Sequence, residues 1–350
     1  DVAYPTLAAA LLPASSGQQL SSTDAAFRSI GSVDTLGRSL GLSGSGNIRT
    51  PSTSILTLGG SSFLAAAPGN DVNIFGQLRI SAGSSADLFG ETFLLGSRGT
   101  LTARTGSSLT INTPAASLEG QTRLEQGASL TFYGGATNIG PVTAGLNSSI
   151  SAGGTITNFD TYSITSASMN APLFLNRATT NIFGSSAIFG SFGNEIGAVT
   201  TIRSGTLFVY GSLTNNGTIV GTICSGCAGI EATTPPSLDV GGDLNLGASA
   251  NLNMPFAGAL VHVGGNFDAA INLSARYNMA SATLQMEGLG FEQTLEVMSR
   301  DIGPDTLGLD RTRSGHFPIG VLEIGPSPSI VRLVDNHDND ALGQSACEAI

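Results

Sequence analysis

Three groups of residues have the types and spacing that chemistry would need. The first, Cys224-Ser225-Gly226-Cys227, is a C-x-x-C pair, the spacing of a redox dithiol or of half a four-thiolate zinc site. The chain holds 3 cysteines, and the last, Cys347, is remote, so no second pair completes a zinc site. No βαβ pattern surrounds the motif either. Cys224 and Cys227 therefore read as a small disulfide pinning a glycine-rich connection in an oxidising compartment. Cys347 reads as unpaired, or as bonded to a cysteine of another subunit. The second group is Asp335-Asn336-His337-Asp338-Asn339-Asp340. Oxygen donors at Asp335, Asp338 and Asp340 make calcium the ion to consider, but the glycine and terminal glutamate of an EF-hand loop are missing, and a solvated turn accounts for the run. Calcium apart, no metal or other cofactor is expected.

The third group comprises His262 and the acids Asp71, Asp87, Glu119, Glu125, Asp160, Asp239 and Asp243. Glycoside-cleaving enzymes need clustered carboxylates on one face, and lyases usually add a cationic partner. These acids are scattered singly at turn-like positions. Asp239 and Asp243 do flank Gly241-Gly242, and Asp243 falls one repeat from Asn266 and Asp268. Corner-forming carboxylates explain that arrangement, and the outward position of a strand explains His262. No Gly-x-Ser-x-Gly elbow occurs. The chain reads as a non-enzyme without catalytic residues.

Composition narrows the rest. Charged residues are 11% of the chain, where about 25% is ordinary, and glycine is 47 of 350 residues. All 14 basic residues are arginine, because lysine is absent, and so is tryptophan. Without lysine there is no Walker-type phosphate loop and no Schiff-base chemistry. A net charge of −11 excludes nucleic acid as a partner, since phosphate contacts need a basic surface. The longest apolar runs, Leu7 to Leu12 and Phe63 to Ala67, fall far short of the ~18 residues that a spanning helix needs, so no membrane span is expected. Asn147, Asn216 and Asn272 each open an N-glycosylation pattern, which an Asn- and Thr-rich chain produces by chance.

The elements that would position these residues are announced by repetition. Val240-Gly241-Gly242-Asp243-Leu244 recurs as Val263-Gly264-Gly265-Asn266-Phe267, 23 residues on (240 to 263). Gly76-Gln77-Leu78-Arg79-Ile80 recurs as Gly99-Thr100-Leu101-Thr102-Ala103, again 23 on (76 to 99). Leu109 and Leu130, in Ser108-Leu109-Thr110-Ile111 and Ser129-Leu130-Thr131-Phe132, are 21 apart. Short segments alternate apolar and polar with period two, so one face turns inward. Glycine, asparagine and serine between them supply corners. Thr, Ser and Asn tolerate stacking in register, whereas like charges in one column would repel.

The expected fold is all-β, a right-handed parallel β-solenoid over residues 44–300 with about eleven coils of roughly 21–23 residues. Its rival is a β-sandwich, which does not require the recurrence at 23. Residues 1–43 read as an N-terminal arm and cap, with Thr23-Asp24 starting a short helix that carries Phe27, Ile30, Leu36 and Leu40. Residues 301–350 read as a capping or junction segment. There, Pro318 to Ile324 and Ser329 to Val334 form a strand pair around Gly325-Pro326-Ser327-Pro328. The chain begins without Met, as a processed secreted protein would.

Two stretches carry family resemblances. Val331-Arg332-Leu333-Val334-Asp335-Asn336-His337-Asp338-Asn339-Asp340, followed by Gly343-Gln344-Ser345-Ala346-Cys347-Glu348-Ala349, resembles a segment near the end of very large secreted planctomycete-type proteins. The body, with its Gly-x-Leu-x-Ile coils, resembles the β-helical stalks of bacterial haemagglutinins, autotransporters and other surface adhesins. Both resemblances imply an extracellular structural or adhesive role at the cell surface.

The function expected is thus a subunit of a surface filament or adhesive stalk, whose partner is itself. Copies would assemble head to tail by pairing open solenoid ends, with a terminal arm crossing the junction. The assembly candidates are Val2, Tyr4, Leu7, Leu11 and Leu12 at the start, and Val321, Leu322, Ile324, Ile330 and Leu333 near the end. Two alternatives remain open at this point. One is a carbohydrate-binding or carbohydrate-cleaving β-helix with surface glycans as partners. The other is a monomeric stalk fragment of a larger adhesin.

Overall fold

A computed structural model describes residues 19–22, 32–36, 39–42, 47–138, 140–223, 234–269, 277–286, 292–297, 301–303, 316–324 and 330–335. The chain is an all-β parallel β-solenoid of about eleven turns, with no helix among the described residues. Every strand pair whose register is defined is parallel, which excludes the sandwich. The chain divides into two compact units, 1–172 and 173–350.

In the first unit each coil contributes three short strands separated by corners. One coil runs Ser108–Asn112, Ala115–Leu118 and Gln121–Leu124, and the next runs Ser129–Phe132, Gly135–Asn138 and Val142–Ala144. The sequence recurrences are literally rungs. Leu78 pairs with Leu101, and Leu109 pairs with Leu130. Alternation does the sorting: in Ser129–Phe132, Leu130 and Phe132 are buried while Ser129 and Thr131 face outward. The interior is thus built of columns, one side chain per coil at the spacing of hydrogen-bonded strands, about 4.8 Å. Leu88, Ile111, Phe132 and Ala152 form one such column, with the small Ala152 beside the large Phe132. Such trading of volumes keeps a column densely packed.

The corners follow from glycine chemistry. In the turn Arg104-Thr105-Gly106-Ser107, the Ser107 amide donates to the Arg104 carbonyl at 2.9 Å, and Gly106, third in the turn, has φ 65°. A positive φ at that position is what a type II turn demands. Two coils later Asn147 occupies the equivalent place with φ 56°, as asparagine can.

The second unit uses the same coil with larger excursions. Its Val240 and Val263 are paired rungs, as the 23-residue repeat requires. By contrast, Gly205 pairs with Pro236 and Ile219 with Leu252, so a connection is inserted between those coils. That insertion contains Cys224 and Cys227, which lie outside the described residues.

The N-terminal end differs from expectation. No helix spans 33–42: Val33–Asp34 is a strand with Val33 paired to Leu56, and Ser39–Leu42 is a strand in which Leu40 pairs with Leu64. Leu36 sits between them with φ 52°, a left-handed value that a right-handed helix cannot contain. The spacing of Leu36 and Leu40 reflected successive strands, not a helical face; residues 23–31, with Phe27 and Ile30, lie outside the described residues. Parallel pairing also continues outside 44–300, from Gln19–Ser22, which pairs with Ser39–Leu42, to Ile330–Asp335. The strands His316–Ile324 and Ile330–Asp335 do form. Each continues a ladder, the first from Tyr277–Met286 and the second from Glu292–Val297.

Candidate functional site

Chemistry-bearing side chains are brought together on the outward columns of the second unit. Asp239 and His262 stand on neighbouring rungs of Pro236–Val240 and Leu260–Val263, with burial alternating along each strand so that both face out. The His262 Nδ1 lies 2.7 Å from Asp239 Oδ1. An Nδ1–H donated to a carboxylate fixes the imidazole orientation. Phe208 precedes the pair in the same column and Gln285 follows it. Such a pair is the base-and-orienter half of a general-base arrangement.

Two residues beyond Asp239 the corner is bare. Gly241-Gly242 and, one coil on, Gly264-Gly265 replace side chains with backbone. A Cβ on Gly241 would lie 2.8 Å from the Tyr210 carbonyl oxygen, and one on Gly264 would lie 2.5 Å from that of Gly241. Close coil-to-coil packing therefore requires glycine here. Beyond the glycines, Asp243 Oδ1 accepts the Asn266 amide at 2.7 Å, and Asn266 Oδ1 accepts the Thr294 amide at 2.8 Å. The corner is tied down from within by the buried Gln293. Its Nε2 lies 2.8 Å from the Gly264 carbonyl and 2.6 Å from that of Gly265.

Aromatic rings close one end of this corner. Phe189 and Tyr210 occupy successive rungs and stack at 4.6 Å with their planes 14° apart. Tyr210 is 61% exposed. The first unit has a similar step: Tyr133 is 76% exposed and is followed one coil later by Gly153-Gly154. There the neighbouring outward column offers Thr131 and Ser151 in place of Asp and His.

A second polar arrangement is interior. Asn176, Asn194 and Asn215 are buried at one corner of three successive coils. The Asn176 amide donates to Asn194 Oδ1 at 2.9 Å, and the Asn194 amide donates to Asn215 Oδ1 at 2.7 Å. Spare donors reach backbone carbonyls, such as Asn194 Nδ2 to Thr218 at 3.1 Å. Such a ladder satisfies amides that would otherwise be costly to bury. In the first unit, burial pushes the Tyr162 hydroxyl above its ordinary pKa.

Of the assembly candidates, Val321, Leu322 and Ile324 lie on the strand His316–Ile324 and are described. Ile324 extends the interior column Val240, Val263, Met286, whose members are fully buried, yet Ile324 itself is 52% exposed. Val321 is 51% exposed on the outward side, and Leu322 is half-buried. Ile330 and Leu333 lie on the strand Ile330–Asp335, paired to Glu292 and Leu295, and only their backbone is described. Val2, Tyr4, Leu7, Leu11, Leu12, Cys347, Asp338 and Asp340 lie outside the described residues, as does the side chain of Asp335. Among the described residues, no three His, Cys, Asp or Glu side chains gather as a metal site would need.

Sequence reasoning placed His262 on an outward strand position, as found, but took Asp239 for a corner residue; it lies within the strand Pro236–Val240, facing outward, and touches His262, which was not foreseen. The signal was present, since the two are 23 residues apart, one repeat. It also missed the Asn ladder, whose spacings of 18 and 21 residues slip away from 23. No protein-family model, no curated protein and no solved structure matches the chain.

Proposed function

We propose that the chain is an extracellular structural protein, a subunit of a surface filament or adhesive stalk that assembles head to tail through the ends of its solenoid. The observation carrying this reading is Ile324. A core column that is fully buried at three successive rungs and then half exposed at the fourth is a core without its next layer. A repeat coil buries its apolar row only against neighbours, so an uncovered last rung favours another coil upon it. The strand carrying Ile324 also offers backbone groups for pairing, the usual route to edge-to-edge association. The surface supports the reading too: few charges and many outward Ser and Thr suit stacking in register, and the β-helical stalks that the body resembles are secreted.

The test is sedimentation velocity and negative-stain electron microscopy over a rising concentration series. Wild-type protein is expected to form concentration-dependent linear oligomers, and Ile324→Arg to shift them toward monomer without changing the β circular dichroism. A wild-type protein that stays monomeric throughout the series would sink the proposal.

A further inference from the structure

We propose that the corner beside Tyr210 is a binding shelf for a neutral pyranose unit of a polysaccharide. One face of the Tyr210 ring is taken by Phe189, stacked at 4.6 Å. The rungs that follow in its column are Gly241 and Gly264, so no side chain succeeds the ring on its other side. A strip two rungs long, about 10 Å, is left without side chains beyond an exposed aromatic face. That face suits the apolar C–H face of a sugar ring, which presents a flat hydrocarbon surface with hydroxyls at its rim.

Polar groups stand on both margins of the strip. Asp239 and His262 lie about 7 Å back along the strands, two residues from Gly241 and Gly264 respectively. Asp243 and Asn266 lie on the opposite margin. The Asp239 carboxylate, oriented by its 2.7 Å contact with His262, can accept from an adjacent hydroxyl through its second oxygen. The floor is rigid before any ligand arrives, because the glycine backbone is packed against the preceding coil and Gln293 grips the Gly264 and Gly265 carbonyls. Little ordering cost therefore falls on binding.

Charge selects among sugars. The chain carries a net charge of −11, and both margins present a carboxylate, so uronic and sulfated glycans are repelled. The ligand class is a neutral hexose polymer. The shelf lies on the outer side of the coils, its last glycine, Gly264, standing beside Val263, two rungs before the inward-column Ile324. Binding and self-association are separated by the variants, Ile324→Arg acting on assembly and Tyr210→Ala on the glycan.

Affinity gel electrophoresis of the full chain in gels cast with barley β-glucan, galactomannan, dextran or polygalacturonate tests this. Retardation is expected in at least one neutral gel and not in polygalacturonate. Tyr210→Ala should weaken it at least tenfold, Tyr210→Phe should preserve it, and Tyr133→Ala should leave it unchanged. Circular dichroism and thermal melting matched to wild type establish that each variant is folded. No retardation in any neutral gel overturns the proposal, and so does an equal loss in folded Tyr133→Ala and Tyr210→Ala.

Discussion

The two units solve the same stacking problem with different interiors and different surfaces. In the first, the outward position that opens one strand of each coil is serine at six successive rungs: Ser61, Ser85, Ser108, Ser129, Ser149 and Ser168. Where the like charges Arg79 and Arg123 enter this unit they are spaced. Arg79 and Arg123 share a column, but Thr102 separates them, so like charges are held two coils apart. In the second unit, neighbouring rungs carry groups that need one another: Asp239 with His262, Asp243 with the amide of Asn266, and Asn176 with Asn194 and Asn215. A neutral hydroxyl column is indifferent to what lies above it, so it can be repeated. A charge or buried amide demands a specific partner at about 4.8 Å, so it appears in matched sets. Matched sets occur in the first unit too, where Asp71 bonds to Asn47 and Thr92 and the buried Asn138 and Asn158 stand on neighbouring rungs, but the second unit adds the Asp239–His262 pair and the three-membered amide ladder.

The sharpest way to break this contrast is to remove the middle of the amide ladder. Asn194→Ala removes the bonds to Asn176, Asn215 and Thr200, leaves Asn176 with only its 3.3 Å contacts to the Val199 carbonyl and Thr200 Oγ1, and should cost about 3 kcal/mol, the sum of several lost buried hydrogen bonds. Urea melts followed by circular dichroism measure it. A loss under 1 kcal/mol would mean that the ladder is incidental to the second unit's stability.

The first unit should show its dependence on the apolar interior through pH. Tyr162 is fully buried and its hydroxyl pKa is raised above the ordinary 10.0 by desolvation. Its folded form therefore holds the proton more tightly than the unfolded chain. The associated stability is complete below pH 10 and falls as pH rises beyond it. No lysine titrates in that window to obscure the effect. Thermal melts between pH 8 and 11 should show an alkaline decline that Tyr162→Phe flattens. An identical decline in the variant would refute the assignment.

The smallest expected effect runs in the opposite direction. Thr122 is fully buried in the column between Leu101 and Val142, and its Oγ1 has no hydrogen-bond partner. Thr122→Val replaces a stranded hydroxyl with a methyl of similar shape and should stabilise the first unit by about 1 kcal/mol. A buried hydroxyl removed from one unit and a buried amide removed from the other would then carry opposite signs. Destabilisation by Thr122→Val would show that the hydroxyl is partnered after all.

How much could be read beforehand follows from the same physics. The coil, its three strands and its inward residues were legible because stacking forces equivalent positions into register: Leu78 over Leu101, Val240 over Val263. The N-terminal reading failed over 33–42 because four-residue spacing between leucines is common to a helical face and to consecutive short strands. Only Leu36, held at φ 52°, distinguishes them. The Asp239–His262 contact was legible in principle, one repeat apart. The open shelf was not, since a glycine pair announces a tight corner but not what the preceding coil places beside it.

By itself, then, the sequence determined the kind of fold and the face each residue takes, because period-two alternation and a near-constant coil length are properties of a single strand of text. The absence of lysine and the low charge likewise excluded whole chemistries without any structure. Only the tertiary structure decided which residues stand above which where the coil length slips, at the Asn ladder and across the connection that holds Cys224 and Cys227. It alone decided that Tyr210 faces a bare rung and that Ile324 ends a buried column uncovered. Those are relations between neighbouring coils, set by how much chain each corner consumes, and hydrogen-bonded registry is what settles them.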